Sequence, residues 1–333
     1  ASERETRAIT EPESERVVRG PREGFTESIQ TNLILIRRRI KCPKFKTKFR
    51  EIGQRSRTKI CICYIDDIAK KSILSELERR LDEITLDAIL DAGYIQELIR
   101  DEPFSPFETV GYSERPDIIA AKLLEGRIAI IVDGSPTVLT VPYVLVEHAQ
   151  SNEDYYTNYM LASFNRFIRT TATISSITIP AVYLAVVTYH QEMLPTPVLL
   201  SLSASRQGVP FPTALSFFIM LFIFDILREA GARMPLSIGQ AINIVGALVL
   251  GEAAINAKLV SAPVVVITAL SGILTLLNVR LLTAIVFSRF LLLFAASILG
   301  LCGVIFGFLI LMMHLASMRS FGIPYMASIT RIM

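Results

Sequence analysis

The sequence predicts an α/β soluble domain with a mixed sheet, followed by an α-helical membrane domain of four to five spans. Three observations carry that prediction. Charge is lopsided: residues 1–150 hold 24 of the 34 Lys and Arg and 25 of the 31 Asp and Glu. The remainder strings its few charges between long apolar runs such as LLLFAASILGLCGVIFGFLILMMHLA (Leu291–Ala316). A core helix of a water-soluble domain needs a polar face, so runs of this length point to lipid. Finally, residues 59–144 read in order as β-α-α-β-α-β-β, the pattern of a small sheet with helices packed on it. The change of solvent falls near Phe167.

Composition narrows the function classes. The net charge is +3, and neither half is basic enough to make nucleic acid a main partner. The cysteines are Cys42, Cys61, Cys63 and Cys302. Cys61 and Cys63 alternate with Ile60, Ile62 and Tyr64, so both point to one face of a strand and read as small hydrophobes under a sheet. A metal or redox pair needs further ligands, and His148, His190 and His314 are scattered. The first 24 residues are rich in Glu, Arg and Pro and lack an apolar signal segment, which predicts that this portion stays in the cytosol. A start at Ala1 suggests a piece of a longer protein.

The elements follow in order. Pro21 and Gly24 punctuate the chain before a helix capped by Thr26, with Ile29, Leu33, Ile36 and Ile40 at helical spacing. Arg37, Arg38 and Arg39 suit its last turn. They read as a solvated face, with attraction to anionic headgroups or an acidic partner as the functional alternative. Lys59–Ile65 is strand-like. A helix from about Ser72 carries Leu74, Leu77, Leu81 and Ile84. A second begins after Thr85 with Leu86, Ile89, Leu90, Ile95, Leu98 and Ile99, and Pro103 and Pro106 end it. Thr109–Tyr112 reads as a short strand, and Ser113 opens a helix through Leu124, with Gly126 at C′. Arg127–Val132 is a buried strand, Asp133-Gly134 is a turn signal, and Thr137–Val144 is the returning strand.

Beyond Tyr155, Tyr156 and Tyr159, which fit an interfacial aromatic belt, the spans begin. They are about Ile168–Tyr189 with a kink at Pro180, Thr213–Leu227, Ile238–Ala257, Ser261–Leu277 and Phe290–Ala316. Thr213–Leu227 is short and either crosses or lies re-entrant or interfacial. Leu281–Phe287 reads as an amphipathic elbow. With the N-terminal domain inside and five spans, Arg228, Arg233, Arg280 and Arg289 fall in inside loops, which mildly favours positive-inside. The domains expected are 1–55, a remnant of an upstream subdomain with a connecting helix; 56–150, the α/β domain; 151–166, an interfacial linker; 167–318, the membrane domain; and 319–333, a shortened tail.

The soluble part offers little chemistry. It has no Walker-type loop, no GxGxxG after a strand, no GxSxG elbow and no kinase-like motif set. Asp66-Asp67 reads as a solvated turn. The expectation is therefore no catalytic, cofactor or metal site. The clues lie at membrane depth. Glu252 sits in an apolar helix, where a carboxylate costs several kcal/mol (roughly) unless paired or hydrated. Asp225, Arg228 and Glu229 share one helix end, either as an internal Asp225–Arg228 pair with Glu229 at the interface or as the lining of an ion or solute path. Asn243 joins them as a candidate for the same path. Gly303 and Gly307 form GxxxG, and Ala247/Gly251 and Ala253/Ala257 repeat the small-xxx-small spacing. These, with Gly246, are candidate helix-packing positions, within one subunit or between subunits.

Several stretches resemble a known family. VVRGPREGFTESIQTNLILIRRRI (Val17–Ile40), SRTKICICYIDDIA (Ser56–Ala69), SPFETVGYSERPD (Ser105–Asp117) and LLEGRIAIIVDGSP (Leu123–Pro136) match the A-subunit, or GerA, family of bacterial spore germinant receptors. So do SASRQGVPFP (Ser203–Pro212), ILREAGARMPLSIGQAINIVGALVLGEAAINAKLVSAP (Ile226–Pro263) and HLASMRSFGIPYMA (His314–Ala327). They occur in order along about nine tenths of the chain. The resemblance implies a multi-pass subunit of the spore inner membrane, with its N-terminal domain on the cytosolic side. It implies work with B and C partner subunits to turn a nutrient signal into germination, and receptor roles without enzymatic ones; the close-packing motifs add the expectation of homo-oligomers. The sequence departs from the pattern at both ends, which reads as truncation. The mechanism expected is an oligomeric, nutrient-gated cation path through Glu252 and Asp225/Arg228. A scaffold for the B and C subunits and a secondary transporter are the rivals.

Overall fold

A computed structural model describes residues 9–12, 15, 17, 19–234 and 249–327. The chain divides into two units, one of Ala1–Arg166 with His314–Met333 and one of Phe167–Met313. The first contains α1 (Ile29–Arg39), β1 (Phe45–Ile52), β2 (Thr58–Ile65), α2 (Lys71–Asp82), α3 (Ala92–Ile99), β3 (Gly111–Ser113), α4 (Pro116–Leu124), β4 (Ile128–Val132) and β5 (Val138–Val141).

The strands form one five-stranded sheet in the order β1-β2-β4-β5-β3. The α/β region stands as read, but the sheet is not mixed: each of its ladders is antiparallel. The connecting helices carry the chain across the sheet without bringing two strands parallel. Alternation sorts β2 onto two cores. Ile60, Ile62 and Tyr64 pack with Ile73, Leu77, Leu81, Ile95 and Ile99 from α2 and α3. Cys61, Cys63 and Ile65 pack with Ile36, Ile40, Ile119 and Leu123 from α1 and α4. At 25 cal/mol per Å² of apolar surface, each buried Ile or Leu contributes about 2 kcal/mol.

Strand β1 escaped the sequence reading, which named no element between Ile40 and Lys59. Its FKTKFREI pattern buries only Phe45 and Ile52 and exposes Lys46 and Lys48. A cationic edge strand of this kind discourages edge-to-edge pairing and carries little apolar signal. Helix α1 also begins later than read, at Ile29. Thr26 does not cap it: its backbone N–H donates to Asn32 Oδ1 at 2.8 Å. The second helix starts at Ala92 instead of after Thr85. The β1–β2 turn claims the intervening segment, with Ser56 Oγ accepting from Ile89 N at 3.1 Å and Thr58 Oγ1 donating to Ile89 O at 2.6 Å. Asp133-Gly134 does not make a two-residue turn either. Asp133 accepts from Ile29 N at 3.2 Å and Gly134 N donates to Glu27 O at 2.8 Å, drawing the loop onto the start of α1.

Residues 319–327, read as the start of a tail, pack into this first unit. Two-residue strands β6 (Arg319–Ser320) and β7 (Ile323–Pro324) pair with each other, and Ser320, Phe321 and Tyr325 are buried.

The second unit is helical. It comprises α5 (Tyr159–Tyr189, entered from the first unit), α6 (Thr196–Arg206), α7 (Thr213–Arg233), α8 (residues 249–256), α9 (Ala262–Leu276) and α10 (Leu282–Ser317). Among the described residues, two stretches are long and apolar enough to cross a membrane: Tyr159–Tyr189 and Val279–Ser317. Four to five spans are therefore not reached among them. Helix α9 has 15 residues, short of the ~20 that a bilayer requires. The second half of α7 carries Asp225, Arg228, Glu229 and Arg233. Most of the expected third span falls outside the described residues.

Helix α10 differs from the reading in two ways. The elbow and the last span are continuous, with Ser288 and Arg289 inside the helix and not in a loop. The helix then doubles back at Gly300, whose φ of 62° and ψ of −140° lie outside helical space. A Cβ on Gly303 would stand 2.1 Å from Ala295 O, and one on Gly307 would stand 2.6 Å from Leu292 Cδ2. In a straight helix these pairs would be about 12 and 22 Å apart. The segment passes as one span on length, yet its geometry is a tight hairpin of two limbs, each about 26 Å long.

Candidate functional site

The chemistry of the second unit gathers where four helices meet. Asp225 projects from α7 just where its apolar run ends. Its Oδ2 accepts from Arg289 Nη2 of α10 at 2.8 Å. Its Oδ1 lies 2.9 Å from Arg228 Nη1, one helical turn on, as a charge contact without hydrogen-bond alignment. Arg289 Nη1 donates to Ser271 Oγ of α9 at 3.3 Å, and that hydroxyl donates to Ser176 O of α5 at 2.7 Å. One chain of polar contacts thus ties α5, α7, α9 and α10.

The tie is dry and costly. The Arg289 side chain is 0% exposed and that of Asp225 is 13% exposed. Moving charges out of water costs several kcal/mol per ion (roughly), so such a pair persists only when its partners meet it well. Here the partners are uneven: two guanidiniums share one carboxylate. Arg289 Nε, Ser288 Oγ and Thr268 Oγ1 are buried without a hydrogen-bond partner among the described residues. The arrangement can pin helices together. It is poorly suited to binding a cation at Asp225, because both arginines already neutralise that carboxylate.

The predicted residues are distributed unevenly about this site. Asp225 and Arg228 are brought together. Glu229 turns away to pair with Arg233 at 2.6 Å, and both are exposed. Glu252 is exposed on α8, and no ion pair reaches it among the described residues. Gly251 is buried, with its Cβ position 3.4 Å from Val265 Cγ1 of α9, while Ala253 and Ala257 are exposed. Asn243, Gly246 and Ala247 lie outside the described residues. Gly303 and Gly307 face the opposite limb of their own hairpin. Arg289 is the residue that sequence reasoning missed, as a loop charge. The signal was present, since Arg289 is the one Lys, Arg, Asp or Glu inside Leu281–Ala316.

The first unit has its own ionic cluster at the SERPD stretch. Arg115, buried at the start of α4, donates through Nη2 to Asp117 Oδ2 at 2.7 Å and to Pro21 O at 3.2 Å. Tyr156 OH and Asn152 Nδ2 donate to the same carboxylate at 2.9 and 3.2 Å. Burial pushes the Asp117 carboxyl up, but Arg115, Tyr156 and Asn152 outweigh it and hold it below its ordinary 3.8. Cys61 and Cys63 place their sulfurs 3.7 Å apart inside the sheet core. The bond to Cys61, together with burial, keeps the Cys63 thiol well above its ordinary value. Among the described residues, no group of three or more His, Cys, Asp or Glu could hold a metal ion.

The family profile for Bacillus/Clostridium GerA spore germination proteins matches residues 1–333. The chain belongs to the GerA family. Spore germination protein KA of Bacillus subtilis (strain 168) is 45% identical over 325 residues, which are 97% of this chain and 60% of that protein. An uncharacterized membrane protein of the same organism, YfkQ, is 43% identical over 326 residues, 97% of this chain and 64% of its own length. Spore germination protein GerLA of Bacillus cereus is 40% identical over 323 residues, 96% of this chain and 66% of that protein. The chain thus spans 60% to 66% of the length of these relatives. A crystal structure of the N-terminal domain of the A subunit of the Bacillus megaterium spore germinant receptor GerK3 is 45% identical. It covers 35% of this chain and 93% of that one, with a TM-score of 0.30. In this GerA-family chain, Ser105–Asp117 carries the Arg115–Asp117 cluster and His314–Ala327 carries the residues folded into the first unit.

Proposed function

We propose that this chain acts as the A subunit of a germinant receptor in the spore inner membrane, crossing it several times with its sheet domain on the cytosolic side. It works with B and C subunits and with further copies of itself to turn a nutrient signal into germination. The observation that supports this reading is the family match along the whole chain, across both the sheet unit and the helical unit. On this reading, the helical unit houses a gated cation path. Glu252 is its first candidate, exposed on α8 and met by no ion pair among the described residues, with Glu229 and Asn243 as further candidates. Asp225, Arg228 and Arg289 then act as the pin that sets the helix arrangement around the path.

The unevenly paired Asp225 site also favours a second reading, in which the subunit is a non-conducting scaffold for its partners. A transporter finds no comparable support. Reconstitution with conductance recording separates channel from scaffold. Glu252→Gln and Glu252→Ala should change nutrient-triggered cation release at unchanged protein level, and normal release in both would remove Glu252 from the path.

A further inference from the structure

The stretch that follows α10 is held in the first unit by an unusual mixture of contacts. Strands β6 and β7 pair Ser320 with Ile323, leaving Phe321 and Gly322 as a two-residue turn. Both have positive φ, 49° and 81°. That turn type takes Asn or Asp followed by Gly in most hairpins. A bulky Phe in the left-handed region is strained and persists only where its surroundings over-determine it.

The surroundings here are specific. Phe321 N donates to Asp101 Oδ2 at 2.9 Å. The other Asp101 oxygen pairs with Arg80 Nη2 at 2.7 Å, and the Arg80 guanidinium sits 4.3 Å over the Phe321 ring. Ser320 Oγ donates to Thr109 O at 2.7 Å and accepts from Tyr143 N at 3.0 Å. Further on, the buried Tyr325 hydroxyl meets His148 Nε2 at 3.0 Å, and Tyr325 O accepts from Leu145 N at 3.0 Å. Burial pushes that hydroxyl well above its usual value, so it stays protonated. Outside its own two-residue pairing, the stretch joins no strand of the five-stranded sheet. Its hold consists of side-chain bonds, single backbone bonds and buried apolar side chains, Met318, Phe321, Tyr325 and Ala327.

We propose that residues 318–327 form a strained strap that opens from the sheet domain as a unit, with Asp101 and Arg80 as its catch. Closed, the strap is held by Asp101 in the loop after α3 and by the backbone N–H of Tyr143 in the segment that follows β5. Local opening of this kind is expected where few ladder bonds secure a segment.

Hydrogen exchange on the full chain in detergent micelles tests this. In the parent, the amides of residues 318–327 should exchange together and at least about tenfold faster than those of β2 and β4. Asp101→Asn should speed the strap by about a further tenfold, the effect of weakening one hydrogen bond to a charged acceptor, and leave β2 and β4 unchanged. Ser320→Ala, which removes two bonds without touching the ion pair, should act in the same direction. Strap amides that exchange only as slowly as β2 and β4 would overturn the proposal. So would variants that leave strap exchange unaltered, or that speed strap and core equally.

Discussion

At the residue scale, Arg289 and Asp225 show how a buried charge is judged by its partners. Asp225→Leu leaves Arg289 buried and unpaired, whereas Arg289→Met leaves Asp225 beside Arg228. The first should therefore cost about 3–5 kcal/mol and the second distinctly less. Asp225→Leu with Arg289→Met together should recover most of the loss, because an apolar pair needs no desolvation. Thermal unfolding in one detergent ranks the three variants. Asp117 carries a pH signature instead. Its folded carboxyl titrates below its ordinary 3.8. Its stabilisation is fully present above that ordinary value and disappears as pH falls through the lower folded value. The stability gap between parent and Asp117→Asn should hold at pH 6 and shrink below about pH 3.8. Denaturant titrations at pH 6 and pH 3, followed by tyrosine fluorescence because the chain has no Trp, would read it. An equal gap at both values would remove Asp117 as the titrating group.

At the element scale, the α10 hairpin is the largest departure from the sequence reading. Apolar run length measures how much greasy surface a segment offers, and it says nothing about direction. Gly300 decides direction, since its φ of 62° and ψ of −140° suit only glycine. Gly303 then lets the limbs touch at Ala295 O. Spin labels at Thr283 and Met313 should report a separation well under half of the ~45 Å that a straight helix gives. Gly300→Ala should lengthen it. A parent distance near the straight-helix value would refute the hairpin. Strand β1 is the complementary case: the element exists, but lysines and arginines on an edge hide its period from hydropathy. Helix α3 shows a third route to error, in which side-chain bonds from Ser56 and Thr58 hold residues before Ala92 out of the helix that their spacing suggested.

At the scale of the whole molecule, residues from both ends of the described chain belong to one unit. Residues 314–327 return to the sheet domain, where Phe321 and Tyr325 fill space that no earlier residue occupies. Ending the chain at Ser317 should lower the unfolding temperature of that unit by roughly 5–10 °C, from the loss of two buried aromatic side chains. An unchanged transition would show that the strap adds nothing to the unit's stability. Membership of the GerA family, the α/β character of the first unit, the helical character of the second and the presence of a charge, Asp225, at the end of an apolar run were all legible in the residues. Each rests on local information: motif strings, period-2 and period-3.6 spacing, and a charge in an apolar run. What pairs with that charge was not legible, because Arg289 lies 64 positions from Asp225 and no local pattern links them. The antiparallel order of the sheet, the reversal at Gly300 and the return of residues 318–327 to the sheet domain were likewise settled only in three dimensions. Sequence spacing records which face a residue can occupy; the fold alone determines which distant residue meets it there.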